Sequence, residues 1–396
     1  MNQKLKRRLI IIGGIVLVAV FALIIQRFIF NNLSVENLEA GVNATNPTIA
    51  GSNETENKVE NTVEEPELVD DGKALVVPAY SDKITNNSLW CGSFALVWND
   101  LLKVENAKEI KFDPQEKSAE NLNKQEFNES SISESGYYKV YGPTTLKMKK
   151  TIEKAIKEKF NETSDVLDLV TWYKDEKAAG EAKIFYAMLK KIFTFKYEFE
   201  DLDKGNFEGD KYTGIKYFGV KAKTKEVVKD QIRILYYNND EDFAVELSTK
   251  EKERIILCNN PEGESFKQIY ENIDKKSKDY TGIRILESGD EFKMPELNID
   301  LLAHFKQFEN KTYMDENGDV KGTIDQAMQT IKLKLDKKGG SLKSEAVITT
   351  KNAIQTDTKT PRKLYLDDSF VMFLAEEEKD MPYYGSVITD ITQFQK

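Results

Sequence analysis

Apolar and polar positions alternate with a two-residue period late in the chain. Ile331, Leu333 and Leu335 fall on one side and Thr330, Lys332 and Lys334 on the other, the spacing of a half-buried strand. A glycine-punctuated exit follows, Asp336-Lys337-Lys338-Gly339-Gly340-Ser341, and then polar chain rich in Thr, Lys and Ser up to Pro361-Arg362-Lys363. The chain returns to apolar residues at Leu364, Leu366 and the run Phe370 to Leu374. A long segment without its own period between two strongly apolar strands is uncommon in a compact domain, and it is more often functional than accidental.

Upstream, Trp90, Phe94, Val97, Trp98 and Leu101 recur at helical spacing, with Asn87 or Ser88 as the cap. Residues 107–135 are polar and read as a surface excursion. Leu146 to Phe160 predicts an amphipathic helix with Ile152, Ala155, Ile156 and Phe160 inward; glutamates interrupt its lysines, so its outer face reads as solvated. A second helix is expected over Asp175 to Leu189, running into an aromatic strand, Ile192 to Phe199. Tyr217–Val220, Ile232–Tyr237, Phe243–Leu247 and Ile255–Cys258, separated by short polar turns, predict an antiparallel meander. A short helix over Ser265 to Ile273, a strand near Phe292 to Leu297 and a helix from Ile299 to Phe308 complete the pattern.

The N-terminus has a different pattern. Lys4, Lys6, Arg7 and Arg8 precede an apolar run that extends, through Gln26 and Arg27, to Phe30. Some twenty such residues span a bilayer, with the basic cluster on the cytoplasmic side. Bulky Phe28 to Phe30 stand where a signal peptidase would need small residues, so residues 9–30 read as an uncleaved single-pass anchor and 1–8 as a cytoplasmic tail. Residues 31–72, rich in Asn, Glu, Thr and Val, read as a disordered linker, and 73–396 as one globular domain outside the cytoplasm at the cell membrane. The bilayer is the partner this predicts.

Composition removes several functions. A net charge of -10, with lysines and glutamates interleaved, supplies no basic stripe for nucleic acid. The single histidine, His304, sits mid-helix beside Leu302 and Phe305, so no Ser-His-Asp or Cys-His device is legible. Cys91 and Cys258 lie among apolar neighbours as small hydrophobes; a bridge between them stays open. No spacing fits a zinc or phosphate site, and no cofactor is called for. Asp315, Asn317 and Asp319 imitate a calcium loop, but Val320 stands where Gly belongs and Gln326 where Glu belongs; Asn317-Gly318 reads as a tight turn. No catalytic set emerges, and the protein reads as a non-enzyme.

The flanks of the long segment resemble a known family. Gln329-Thr330-Ile331-Lys332-Leu333-Lys334-Leu335-Asp336-Lys337-Lys338-Gly339 is similar to the strand and hinge that lead into the reactive loop of serpins, the serine protease inhibitors. Asp368 to Leu374 resembles the serpin strand just after that loop. The resemblance implies an α+β fold with several helices around a large mixed sheet and smaller antiparallel sheets. It implies Gly339, Gly340 and Ser341 as the hinge, and a scissile bond near Ala353-Ile354, with Arg362 and Lys363 as alternative cut sites. It also implies a serine or cysteine protease as partner, with loop insertion into a sheet as mechanism. Leu342, Lys343 and Glu345 stand where inhibitory serpins carry small residues. A non-inhibitory binding or scaffold domain on a stalk is therefore the alternative.

Overall fold

The computed structural model of the protein describes residues 74–340 and 360–395. Every element below belongs to one compact unit, Pro66–Lys396; the expected anchor 9–30 and the linker 31–72 lie outside the described residues. Among the described residues no helix is long and apolar enough to cross a membrane.

Strand β1 (Leu75–Val76) leads to β2 (Ser88–Cys91) and helix α1 (Ser93–Glu105). The helix therefore starts later than its spacing predicts. Asn87 takes a left-handed turn at φ 51°, and its Oδ1 accepts the amides of Thr389 and Asp390 at 2.8 Å, which ties residues 88–91 into a sheet. Residues 107–135 contain α2 (Lys117–Asn123) and bury Ile110, Phe112, Ala119, Leu122, Phe127 and Ile132, so the expected surface excursion is partly core. Next come β3 (Tyr137–Pro143), α3 (Leu146–Phe160, capped by the Thr145 hydroxyl), the single turn α4 (Glu176–Ala179) and β4 (Lys183–Leu189). A helix over 175–189 is thus replaced by a strand. Gly180, at φ 57°, ends the helical turn, and β4 buries Ile184 and Tyr186 on one face while Phe185, Ala187 and Leu189 pack on the other. A strand apolar on both faces shows no two-residue period to read.

Of the aromatic stretch 192–199 only Phe193–Thr194 forms a strand, β5, with Phe195 bridged to Thr249 beyond it. The short β6 (Glu200–Asp201) and the hairpin β7 (Gly205–Phe207) and β8 (Tyr212–Ile215) follow, then β9 (Tyr217–Val220) and α5 (Glu226–Lys229). Three strands of the expected meander form, β10 (Ile232–Asn239), β11 (Asp242–Ser248) and β12 (Glu253–Asn259), while β9, expected as its first strand, pairs instead in another sheet with β6 and with residues 292–295; α6 (Phe266–Asp279) follows, longer than expected and capped by Ser265. Then β13 (Glu291–Pro295) is followed by β14 (Leu297–His304), where a helix was expected. Leu297 and Ile299 are buried while Asn298, Asp300, Leu302 and His304 face out; the exposed Leu302 broke the two-residue pattern, and full-length pairing with a partner strand overrides the local preference. A hairpin, β15 (Lys311–Met314) and β16 (Val320–Ile324), turns at Asn317-Gly318 as expected, with Asp315 Oδ1 accepting the amides of Asn317 and Asp319. The chain ends through β17 (Met328–Leu335), β18 (Gly339–Gly340), β19 (Lys363–Tyr365), β20 (Phe370–Glu376) and β21 (Tyr384–Ile388).

Seven strands make the largest sheet, in the order β1-β2-β21-β20-β12-β11-β10, mixed because β1 and β2 run parallel. Its core strand β20 is buried along its whole length. A four-stranded sheet, β19-β13-β9-β6, lies beside it in the chain order. Two further sheets are separate pairs, β3 with β4 and β14 with β17. One face of β4 packs on α3 through Ile152 and Ile156, and the other joins the main core with α1.

Candidate functional site

Between those two pairs lies an open slot. Among the described residues β4 pairs only with β3 and β17 only with β14, so each turns one row of backbone amides and carbonyls towards a cleft of about 1060 Å³. The inward residues of β17 are Gln329, Ile331 and Leu335, all buried, with Leu333 half-buried; Lys332 and Lys334 face out. Phe94, Val97, Trp98 and Leu101 of α1 line the same cleft. Gln329 fastens α1 to the strand. Its Nε2 donates to Cys91 O at 2.9 Å and to Ser93 Oγ at 2.8 Å, while its Oε1 is buried without a partner.

The outer rim is charged and mostly paired. Lys190 contacts Glu162, which it holds below the usual carboxylate range, and Lys332 reaches Asp165 at 3.0 Å and Asp300 at 3.6 Å. At the far end Lys183 lies 3.6 Å from Glu105, and Lys321 lies 3.0 Å from Asp315, whose carboxyl it keeps low.

The expected hinge sits at the mouth of this slot. After β17 the chain reverses between Asp336 and Gly339, which bond each other's backbone at 3.2 and 3.0 Å. Gly339 and Gly340 then pair antiparallel with Thr194 and Phe193 of β5. Gly339 has φ +118°, and a Cβ there would stand 2.5 Å from Phe193 O; one on Gly340 would meet the Phe193 ring at 3.2 Å and Lys334 O at 3.3 Å. Gly340 is therefore already wedged between the two walls. Phe195 N donates to Lys338 O and Phe199 N to Lys337 O, both at 3.0 Å, so the whole turn is docked. Ser341, Ala353 and Ile354 lie outside the described residues.

Where the chain comes back, Arg362 is not presented as a cut site. Its guanidinium pairs with Asp290 at 2.6 and 2.9 Å and donates to the carbonyls of Ile283 and Ile285 at 3.0 and 2.8 Å. Its amide also bonds Asp290, at 2.8 Å. With every donor group engaged inside the protein, nothing is left to enter a protease pocket. Lys363, exposed, opens β19, which pairs parallel with β13. The anchoring role of Arg362 had no signal in the sequence, because Asp290 is 72 residues away.

No conventional catalytic set appears at this cleft. His304 Nδ1 lies 2.9 Å from Glu309 Oε1 on the outside of β14. Both cysteines are free; burial raises both thiols, Cys258 to about 12. Among the described residues no group of three His, Cys, Asp or Glu side chains is placed to hold a metal.

No family model matches the sequence, and no curated protein does either. Among solved structures, the chain is similar to thyroxine-binding globulin in complex with thyroxine, at 12% identity and a TM-score of 0.37 over 61% of this chain and 64% of that one. It is similar to a highly specific serpin of the insect Tenebrio molitor, at 11% and 0.38 over 76% and 96%. The thermophilic serpin tengpin, in its native state, matches at 10% and 0.38 over 63% and 64%. The chain thus spans less than two thirds of the globulin and of tengpin.

Proposed function

We propose that the protein is a membrane-tethered, extracytoplasmic serpin-like protein that offers the segment after Gly340 to a serine or cysteine protease and then takes that segment up as a strand between β4 and β17. One observation supports this reading: among the described residues, Gly339 and Gly340 lie at the mouth of a slot whose two walls, β4 and β17, each leave one strand edge unpaired. The anchor at 9–30 and the linker at 31–72 belong to the proposal on their sequence, as does the side of the membrane.

The sequence after the hinge suits the slot better than its charges suggest. Asp336 stands opposite Gly339 and Thr194 opposite Gly339 on the other side. A strand continuing in that register has residues 342, 344, 346 and 348 on the side of Leu333, Ile331 and Gln329, facing α1. Those residues are Leu342, Ser344, Ala346 and Ile348, while Ser341, Lys343, Glu345 and Val347 take the outer side. The charged residues fall on the wet face, where they cost little, and not in the core, where an unpaired charge costs several kcal/mol.

The test is limited proteolysis of the full-length chain with a panel of serine and cysteine proteases. Cleavage within 341–359 is expected to raise the melting temperature sharply, since the segment then adds strand pairing it lacked. Ala346→Glu, on the inner side, should abolish that rise, and Val347→Glu should leave it. Cleavage without any rise refutes insertion and favours the alternative, a non-inhibitory binding domain on a stalk; equal behaviour of the two variants refutes the register.

A further inference from the structure

Glu253 and Glu376 stand directly opposite each other on β12 and β20. Like charges so placed destabilise a sheet unless a cation lies between them. Lys191 supplies it. Its backbone belongs to the link between β4 and β5, hence to the wall of the slot. Its ammonium lies in the seven-stranded sheet, 2.9 Å from Glu253 Oε1, in contact with Glu376 and 5.5 Å from the Tyr383 ring centre. The side chains of Lys191, Glu253 and Glu376 are only 12%, 6% and 10% exposed. Ser133 donates its amide and hydroxyl to Glu376, whereas Glu253 Oε2 is buried without a partner.

Two buried carboxylates therefore share one cation, and with both ionised a negative charge is left uncompensated. The other titratable groups facing the cluster are the Tyr383 phenol and the Cys91 thiol, both raised by burial and neutral near pH 7. Burial also lifts Glu253 above the ordinary carboxylate range, against the pull of Lys191; at Glu376 burial is outweighed by Lys191 and Ser133, which hold it low. Glu253 is the group that takes the proton first.

We propose that Lys191, Glu253 and Glu376 form a proton-operated fastener between the slot's wall and the seven-stranded sheet. With a proton on Glu253, a matched Lys191–Glu376 pair remains and the β4–β5 wall is held firmly. Without it, facing carboxylates loosen the wall. A folded-state value raised above the unfolded one means that Glu253 favours the native arrangement as pH falls towards that value, and that this contribution is lost as pH rises through it. Glu376, held low, acts oppositely and only at lower pH, where its contribution disappears as it takes up its proton. That the fastener sets how readily a strand enters rests on the function proposed above; the fastening itself does not.

Amide hydrogen exchange over 183–194, corrected for intrinsic rates, tests this in the full-length chain. Wild type and Glu253→Gln are compared at about pH 7.5 and about pH 5. Wild type should exchange several-fold faster than the variant at the higher pH, with the ratio falling towards one at the lower. Glu376→Gln, which also removes the repulsion, should slow exchange at the higher pH and decides the matter if the first variant does not fold. A ratio unchanged between the two pH values, or faster exchange in both variants, overturns the proposal. A pH-dependent ratio in a protein whose cleavage brings no stabilisation would overturn strand uptake and leave the fastener standing.

Discussion

Replacing Gly339 by alanine tests the docking of the hinge at a single atom. Alanine at φ +118° lies where only glycine is comfortable, at a cost of about 1–3 kcal/mol. The new Cβ would also stand 2.5 Å from Phe193 O, 2.8 Å from Thr194 Cα and 3.0 Å from Phe195 N. All three are backbone atoms of the opposing strand, so no rotamer change relieves the contact. The turn has two ways out. It keeps the strain, or it lifts residues 336–340 off 193–199 and gives up the bonds from Phe195 N to Lys338 O and from Phe199 N to Lys337 O, about 1 kcal/mol each. The two routes together point to a loss of about 2–3 kcal/mol.

Gly180→Ala is the matched control, since Gly180 also has positive φ, +57°, but has no atom within 4 Å of its missing Cβ. It should lose about 1 kcal/mol, the low end of the cost of a glycine-only backbone conformation (φ 57°, ψ -124°) with no contact added to it. Urea unfolding followed by tryptophan fluorescence measures both, and a shift in midpoint at constant slope is read as stability. If Gly339→Ala and Gly180→Ala fall within about 0.5 kcal/mol of each other, the close approach to Phe193 is not a constraint. The hinge would then be a loose tail and not the first rung of a strand.

Two further outcomes follow from the same geometry. Arg362→Met leaves Asp290, 3% exposed, without its guanidinium and should destabilise by about 3 kcal/mol; the double variant with Asp290→Asn should recover most of it, and an unchanged unfolding midpoint in the single variant would discredit the anchor. Maleimide in the native full-length chain should label Cys91, half-buried on the cleft wall, slowly and alone, because Cys258 is buried 3.2 Å from the Tyr236 hydroxyl with its thiol raised to about 12; intact mass reads one adduct before urea and two after, and two adducts before urea would contradict the packing.

Legibility in the sequence followed period and punctuation. Helix α3 carries one buried face and one wet face, and its period declared it; β11 and β12 are buried almost throughout, and the polar turns that bound their short apolar runs declared them. Strand β4 is apolar on both faces and so imitated a helix, and β14 lost its alternation to the single exposed Leu302. At the slot, the glycines at 339 and 340 were legible as the residue type that a reversal pressed against another backbone requires. The internal bonding of Arg362 was not legible, for an equally physical reason. An arginine after Thr-Pro in polar chain looks free until Asp290 and two carbonyls from residues 283 and 285 arrive from elsewhere in the fold. The separation of β3–β4 from β14–β17 had no local signal at all, since a missing pairing is a property of two strands and not of either.

An open pair of strand edges is ordinarily a hazard, because any extended chain can pair with it. This rim carries Lys190 and Lys332 with their acidic partners, and Lys334 and Lys183 beside them, so an intruding strand must bring its outer face into a field of fixed charge. The segment that begins at Gly340 meets the same field but arrives already attached. A short tether holds an end at an effective concentration on the order of millimolar. A free peptide at micromolar concentration must therefore bind about a thousandfold better to compete. On the proposed reading, then, the slot has little need of a sequence-specific lock: modest complementarity in Leu342, Ala346 and Ile348 suffices for the attached strand, while charge at the rim disfavours strangers. The Arg362–Asp290 anchor bears on the same balance from the other end, since it fixes where the segment must return and so limits how far uncut chain can run down the slot.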